Sequence, residues 1–101
     1  MLGFIKRLFG PGVDLAQLMK EGAVIVDVRS SGEYRAGHVK GSVNIPLDDV
    51  KSELETIKRW NKPVVTCCAS GMRSGSAASL LKRNGVDAYN AGPWQKADRL
   101  I

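Results

Sequence analysis

The chain has 101 residues, with fifteen Lys or Arg, ten Asp or Glu, and two cysteines. That length suits one small domain, and a hydrophobic content of 44% excludes an intrinsically disordered chain. No apolar run approaches the roughly 18 residues of a membrane span. The adjacent Cys67 and Cys68 cannot cross-link a fold, which excludes a disulfide scaffold and favours a reducing compartment. The net charge of +5 permits an anionic partner.

The first twelve residues differ from the rest in composition. Residues 1–9 are apolar around Lys6 and Arg7, and they end at the breaker Gly10-Pro11-Gly12. In a secretory signal the positive charges come before the apolar region, whereas here the apolar residues lie on both sides of the charges. We expect this segment to pack on the domain or fray rather than to anchor at a membrane. Residues 13–101 are predicted to form the single domain.

Helices and strands alternate after this segment. Asp14 is typical of the cap of a short helix that ends at Gly22, and residues 24–28 are typical of a strand buried on both faces. Ser30 and Glu33 predict a capping box on a second short helix. The remaining predicted elements are a brief strand at 43–45, a helix from Asp48 or Asp49, a strand at 63–67, a helix at 72–84, a strand at 86–90 and a C-terminal turn or helix with Trp94. This order predicts an α/β fold, a small parallel β-sheet flanked by helices on both faces.

One predicted loop, between a buried strand and a helix, carries most of the chemistry. Ligands of parallel sheets bind at the carboxyl ends of strands, and helix N-termini favour anions. Ser70 and Gly71 let the backbone curl into a nest of N–H groups, and Arg73 adds a cation. Such surroundings lower the pKa of a thiol, so Cys68 is predicted to be reactive. Cys67 is in phase with the strand and is predicted to fill the sheet.

Two stretches of the sequence resemble the signatures of the rhodanese family. The first is Asp27-Val28-Arg29, Glu33-Tyr34 and Gly37-His38-Val39-Lys40-Gly41-Ser42-Val43-Asn44-Ile45-Pro46, and the second is Cys68-Ala69-Ser70-Gly71-Met72-Arg73-Ser74, similar to the family's loop Cys-Arg-Ser-Gly-x-Arg-Ser. The motifs occur in the family's order and spacing, and the resemblance covers residues 14–94. It implies a single-domain rhodanese fold and a sulfurtransferase that moves a sulfane sulfur from thiosulfate or a persulfide to cyanide or a thiol.

The resemblance also implies roles for individual residues. Cys68 would be the nucleophile that carries the persulfide, and Arg73 would orient an anionic donor. Ala69 stands where many members have Arg, which predicts weaker use of thiosulfate. The backbone amides that would cradle the persulfide belong to Ala69, Ser70, Gly71, Met72, Arg73 and Ser74.

The expected partners are the sulfur donor, the thiol or cyanide acceptor and a sulfur-relay protein. No metal or organic cofactor is implied, and one histidine without a Cys-x-x-Cys spacing argues against a metal site. We expect a cytoplasmic monomer that does not bind nucleic acid or a membrane. His38 is expected to make a structural hydrogen bond, and Asp27 and Arg29 to hold loops together.

Two alternatives remain open. Counted from Cys67, the loop reads Cys-x5-Arg and ends at Arg73, which resembles the signature of cysteine phosphatases and arsenate reductases. Counted from Cys68, the loop is one residue shorter and suits a single sulfur atom, and no general acid for a phosphatase is evident. The other alternative is a rhodanese-like module that docks a partner or senses redox state without turnover. Cys67 could then act as a resolving thiol, although a disulfide between neighbouring cysteines is strained.

Overall fold

The computed structural model describes residues 13–101, so the predictions for residues 1–12 lie outside the described residues. The elements, in chain order, are α1 (Leu15–Lys20), β1 (Val24–Asp27), α2 (Ser31–Ala36), β2 (Val43–Asn44), a 3₁₀ helix (Leu47–Asp49), α3 (Leu54–Trp60), β3 (Val64–Cys68), α4 (Met72–Arg83), β4 (Ala88–Pro93) and α5 (Trp94–Asp98). The four strands form one sheet in the order β2-β1-β3-β4, with every neighbouring pair parallel. The predicted α/β class with a parallel sheet is confirmed. No helix of this part of the chain is long and apolar enough to cross a membrane.

Both predicted helix caps near the N-terminus are formed. The Asp14 carboxylate accepts a hydrogen bond from the Gln17 amide at 3.1 Å. Ser30 and Glu33 form the reciprocal capping box, since each side chain accepts a hydrogen bond from the backbone amide of the other, at 3.2 and 3.1 Å. Both caps supply partners for amides that the first turn of a helix leaves unpaired. The capping box therefore fixes where α2 begins.

Helices cover both faces of the sheet. On one face α3 and α4 pack in a cluster that includes Leu81, and on the other face α1 and α5 pack in a cluster that includes Ala97. Successive side chains of a strand point to opposite faces. The adjacent Cys67 and Cys68 therefore lie in different clusters, Cys68 with α4 and Cys67 with α1 and α5.

The predicted start of the third helix is wrong. A 3₁₀ helix follows Pro46, because the Asp49 amide donates to the Pro46 carbonyl at 2.8 Å in a three-residue rather than a four-residue spacing. The α-helix begins only at Leu54, and its N-cap Glu53 makes no side-chain capping bond. Neither Asp48 nor Asp49 caps α3.

The ends of β3 and β4 also differ from prediction. Cys68 is the last residue of β3 rather than the first residue after it, because the strand keeps pairing with β4. The register shifts between Thr66 and Cys67, so that Ala91 is an extra residue in β4. The predicted start of β4 at Val86 is wrong because the Val86 amide instead donates to the Leu81 carbonyl at the end of α4.

A buried ion pair fixes the end of β1. Asp27 is fully buried and Arg29 nearly so, and the Asp27 carboxylate accepts from Arg29 Nε at 3.0 Å and from Nη2 at 2.8 Å. Arg29 Nη2 also donates to the Gly37 carbonyl at 2.6 Å, and the guanidinium carbon lies 5.0 Å from the centre of the Trp94 ring. The pair therefore ties β1 to the loop after α2 and to α5, as expected for a structural role.

Replacement of Arg29 by Met is expected to lower the free energy of unfolding by about 3–5 kcal/mol, because it leaves the buried Asp27 carboxylate without its partner. Urea denaturation followed by circular dichroism measures this loss. The control is Lys58→Met, which removes an exposed ion pair to Glu55 at 3.6 Å and should cost at most about 1 kcal/mol. Similar losses in the two variants would contradict a structural role for the buried pair.

Candidate active site

The carboxyl end of β3 brings Cys68 to the amino end of α4. Cys68 is separated from Met72, the first residue of α4, by the loop 69–71. Thr66 donates from Oγ1 to the Ser74 carbonyl at 2.8 Å, which holds the first turn of α4 against the strand. Cys68 has no exposed surface. The thiol is therefore held between the sheet and the start of a helix.

Three hydrogen-bond donors face the sulfur of Cys68. The Gly71 amide lies 3.0 Å from Sγ, the Ser74 amide 3.4 Å and the Ser74 hydroxyl 3.3 Å. Gly71 has φ +104°, a left-handed conformation that favours glycine, and an added Cβ would lie 3.2 Å from Gly92 Cα. Two backbone amides at the start of α4, those of Gly71 and Ser74, thus point at Cys68 Sγ.

These donors set the ionisation of Cys68. Burial is the largest single influence and raises the pKa of the thiol, but hydrogen bonds from Ser74, Gly71 and Ser70 together outweigh it. The net pKa of Cys68 lies below its ordinary value. Since the thiolate is the nucleophilic form of cysteine, the loop stabilises the reactive state.

Cys67 has the opposite environment. Its side chain is fully buried in the cluster with α1 and α5. Burial, followed by the nearby Asp27 carboxylate, raises the pKa of Cys67 to about 12. Cys67 is therefore a neutral thiol near pH 7 and packs as a small apolar side chain.

Arg73 lies beside the loop in an ion pair with Glu33 of α2. Nη1 is 2.8 Å from Oε1 and Nη2 is 3.0 Å from Oε2, which is a bidentate contact. The hydrogen bonds from Arg73 are the main reason that the pKa of Glu33 falls to about 2, so the carboxylate is charged near neutral pH. Local spacing did not indicate that Arg73, predicted to orient an anionic donor, has a carboxylate partner of its own.

The other predicted loop residues lie towards solvent. Ala69 and Ser70 are exposed, and Met72 is 78% exposed. The Met72 amide donates to Ser70 Oγ at 3.4 Å. The amides of Gly71 and Ser74 are therefore the closest backbone donors to the sulfur, while Ala69 and Met72 form part of the outer surface of the loop.

Asn90 of β4 is a site residue that sequence reasoning missed. Its Oδ1 accepts a hydrogen bond from the Gly92 amide at 2.9 Å, and its Nδ2 donates to the Gly71 carbonyl at 3.0 Å. Oδ1 also lies 2.7 Å from Ser74 Oγ, so the single hydroxyl proton of Ser74 is shared between Asn90 Oδ1 and Cys68 Sγ. Asn90 thus holds both residues that donate to Cys68 Sγ. The signal in the sequence is an amide side chain near the carboxyl end of a short apolar strand.

His38 lies in a turn contact and not among the groups around the thiol. Its Nδ1 is 2.7 Å from the Tyr34 carbonyl oxygen, and the two rings stack with their centres 3.7 Å apart. Because a carbonyl only accepts, Nδ1 carries the proton. Among residues 13–101, no group of three or more His, Cys, Asp or Glu side chains is arranged to hold a metal ion.

A parallel α/β fold with a cysteine cradled by amides at the end of a central strand defines a class of proteins that stabilise an anion on sulfur. Within that class, the chain belongs to the rhodanese-like domain family, whose model matches residues 13–92.

Two similar proteins and one solved structure illustrate this membership. The chain is 42% identical over 69 residues to YqhL of Bacillus subtilis, covering 67% of this chain and 54% of that protein. It is 38% identical over 69 residues to the thiosulfate sulfurtransferase PspE of Escherichia coli, covering 66% of each. A solved structure described as rhodanese with anions from E. coli is 34% identical, with a TM-score of 0.68 over 74% of this chain and 91% of that one. The chain thus spans about half of YqhL.

Replacement of Ser74 by Ala is expected to raise the pKa of Cys68, because it removes the hydroxyl donor and leaves the effect of burial unchanged. The pH dependence of the ultraviolet thiolate absorbance measures this pKa. Ser76→Ala, at an exposed position of the same helix, is the matched control and should leave the titration unchanged. Identical titrations of Ser74→Ala and wild type would show that the hydroxyl does not stabilise the thiolate.

Proposed function

We propose that the protein is a sulfurtransferase of the thiosulfate sulfurtransferase type, which carries a sulfane sulfur as a persulfide on Cys68. The observation that supports this most strongly is the set of donors from Gly71 and Ser74 around Sγ. Such donors stabilise the thiolate before transfer and the terminal sulfur anion after it, in the manner of an oxyanion hole. The relative PspE is named for this activity.

The reaction consists of two balanced displacements. The Cys68 thiolate attacks the outer sulfur of the donor, and a new S–S bond forms as the S–S bond of the donor breaks. The leaving group, sulfite from thiosulfate or a thiolate from a persulfide, departs with the electron pair. A thiolate or cyanide then attacks the outer sulfur, and the Cys68 thiolate leaves. This is a ping-pong cycle that needs no external oxidant or reductant.

Access to the sulfur requires a local movement. Since Cys68 has no exposed surface, a donor reaches Sγ when the side chain rotates or the loop shifts. Ala69 and Ser70, which immediately follow Cys68, are exposed and lie outside α4. We assign this movement to residues 69–71, because α4 is held in place by the bond from Thr66 to Ser74.

The phosphatase alternative, in which the loop is counted from Cys67, has less support than sulfur transfer. It requires Cys67 as the nucleophile, but Cys67 packs on the opposite face of the sheet from α4. Its pKa is raised to about 12 by burial and by Asp27, so almost none of it is thiolate near pH 7. The sulfurtransferase frame, counted from Cys68, uses the cysteine whose pKa the loop lowers.

The same chemistry suggests the physiological setting. A single buried sulfur site suits a monomer that receives sulfur from thiosulfate or a persulfide and passes it to a thiol, to cyanide or to a sulfur-relay protein. Thiolate chemistry of this kind fits the reducing cytoplasm. Neither nucleic acid nor a membrane is required.

Persulfide formation tests the proposal directly. Wild type, Cys68→Ser and Cys67→Ser are incubated with thiosulfate or with 2-hydroxyethyl persulfide generated in solution, and intact masses are recorded. Wild type and Cys67→Ser are expected to gain one sulfur atom and to produce thiocyanate from cyanide, whereas Cys68→Ser does neither.

Three other results would contradict the proposal. Loss of sulfur uptake in Cys67→Ser but not in Cys68→Ser would move the nucleophile to Cys67. Hydrolysis of an aryl phosphate without sulfur uptake would favour the phosphatase frame. No uptake by wild type from either donor would favour a binding or redox module.

A further inference from the structure

The charge of Arg73, beside the active-site loop, is neutralised by a neighbouring carboxylate. Arg73 and Glu33 are joined by two hydrogen bonds of 2.8 and 3.0 Å, and their side chains are 38% and 39% exposed. The pair is therefore accessible to ions from solvent. Arg73 directly precedes Ser74, whose amide donates to Cys68 Sγ at 3.4 Å, and the charge of Cys68 is one of the smaller causes that raise the pKa of Arg73.

The position of Glu33 is fixed by local structure and not only by its charge. The same carboxylate accepts the Ser30 amide at 3.1 Å as part of the capping box of α2. Because both the Ser30 amide and the Arg73 guanidinium hold the Glu33 carboxylate in place, its negative charge stays next to Arg73. Together, Arg73 and Glu33 contribute a dipole rather than a net positive charge.

We propose that Glu33 is a specificity determinant for the sulfur donor, and that by neutralising Arg73 it disfavours dianionic thiosulfate relative to a monoanionic persulfide. This inference rests on the proposed sulfur transfer at Cys68. A donor must approach a thiolate that is itself negative, and this repulsion grows in proportion to the charge of the donor. An unpaired Arg73 would offset the repulsion, and Ala69, exposed at the start of the loop, supplies no replacement cation.

The chain offers an almost isosteric test. Glu33→Gln removes the negative charge and keeps a side-chain oxygen for the capping box, a position that Gln also occupies naturally. The matched control is Glu55→Gln, which changes the net charge equally but removes a carboxylate that pairs with Lys58 on α3. Arg73→Gln makes the opposite change and leaves the Glu33 charge unpaired.

The experiment measures the second-order rate constant for sulfur uptake by Cys68, from intact masses after rapid quenching. The donors are thiosulfate and 2-hydroxyethyl persulfide, whose only charge is on its sulfur. Glu33→Gln is expected to raise the ratio of the thiosulfate constant to the persulfide constant about tenfold, because it leaves the charge of Arg73 uncompensated and thiosulfate carries one more negative charge than the persulfide. Added salt should reduce this gain. Arg73→Gln should lower the ratio, and Glu55→Gln should leave it unchanged.

A failure of the inference about Glu33 can be distinguished from a failure of the proposed sulfur transfer. Sulfur uptake by wild type from both donors, with an unchanged ratio in Glu33→Gln, would overturn the role of Glu33 but not the sulfur transfer. An equal change in Glu55→Gln would show that net charge alone steers the donor. If Glu33→Gln does not fold, as judged by circular dichroism, an unchanged ratio in Arg73→Gln would overturn the inference. No uptake by wild type from either donor would overturn both proposals.

Discussion

The alternation of side chains along β3 decides the chemistry of both cysteines. The strand has a two-residue period, so Cys68 faces the start of α4 and Cys67 faces the opposite helical layer. A slip of one residue would exchange their faces, so that Cys68 would face α1 and α5 and lose the donors at the start of α4. Pairing on both sides prevents this slip, since Cys67 is in register with Asp27 of β1 and with Gly92 of β4. Backbone register, rather than any difference between two identical side chains, thus separates the thiol whose pKa is lowered from the thiol whose pKa is raised.

A second level of organisation connects helix capping to the charge around the thiol. The capping box sets the start of α2, and the same Glu33 carboxylate that closes the box faces Arg73. The buried pair of Asp27 and Arg29 holds the end of β1 and the loop that follows α2. The hydrogen bonds of the capping box therefore position the Glu33 carboxylate against Arg73, which is 40 residues away in sequence.

Much of the fold follows from short-range sequence patterns. The caps at Asp14 and Ser30, the buried strands and the different phases of the two cysteines are all properties of a few neighbouring residues. The predicted start of α3 was wrong because the hydrogen bond from the Asp49 amide to the Pro46 carbonyl forms a 3₁₀ helix where a regular α-helix was expected.

The parts of the site that the sequence did not reveal depend on contacts between distant elements. The ion pair between Arg73 and Glu33 requires α2 and α4 to meet. Asn90 reaches the loop from β4, in a strand whose register shifts at the extra residue Ala91. The position of Asn90 near a strand end is visible in the sequence, but the partners in both contacts are not.

The opposite orientation of the two cysteines also bears on the lifetime of the proposed intermediate. An adjacent thiolate could attack the inner sulfur of a persulfide, form a disulfide and release the outer sulfur as hydrosulfide. In this fold Cys67 is on the far side of the strand, and its pKa of about 12, raised mainly by burial, keeps it protonated. Cys67 would therefore not release the sulfur of the proposed persulfide, which would stay on Cys68 until an external acceptor reached it.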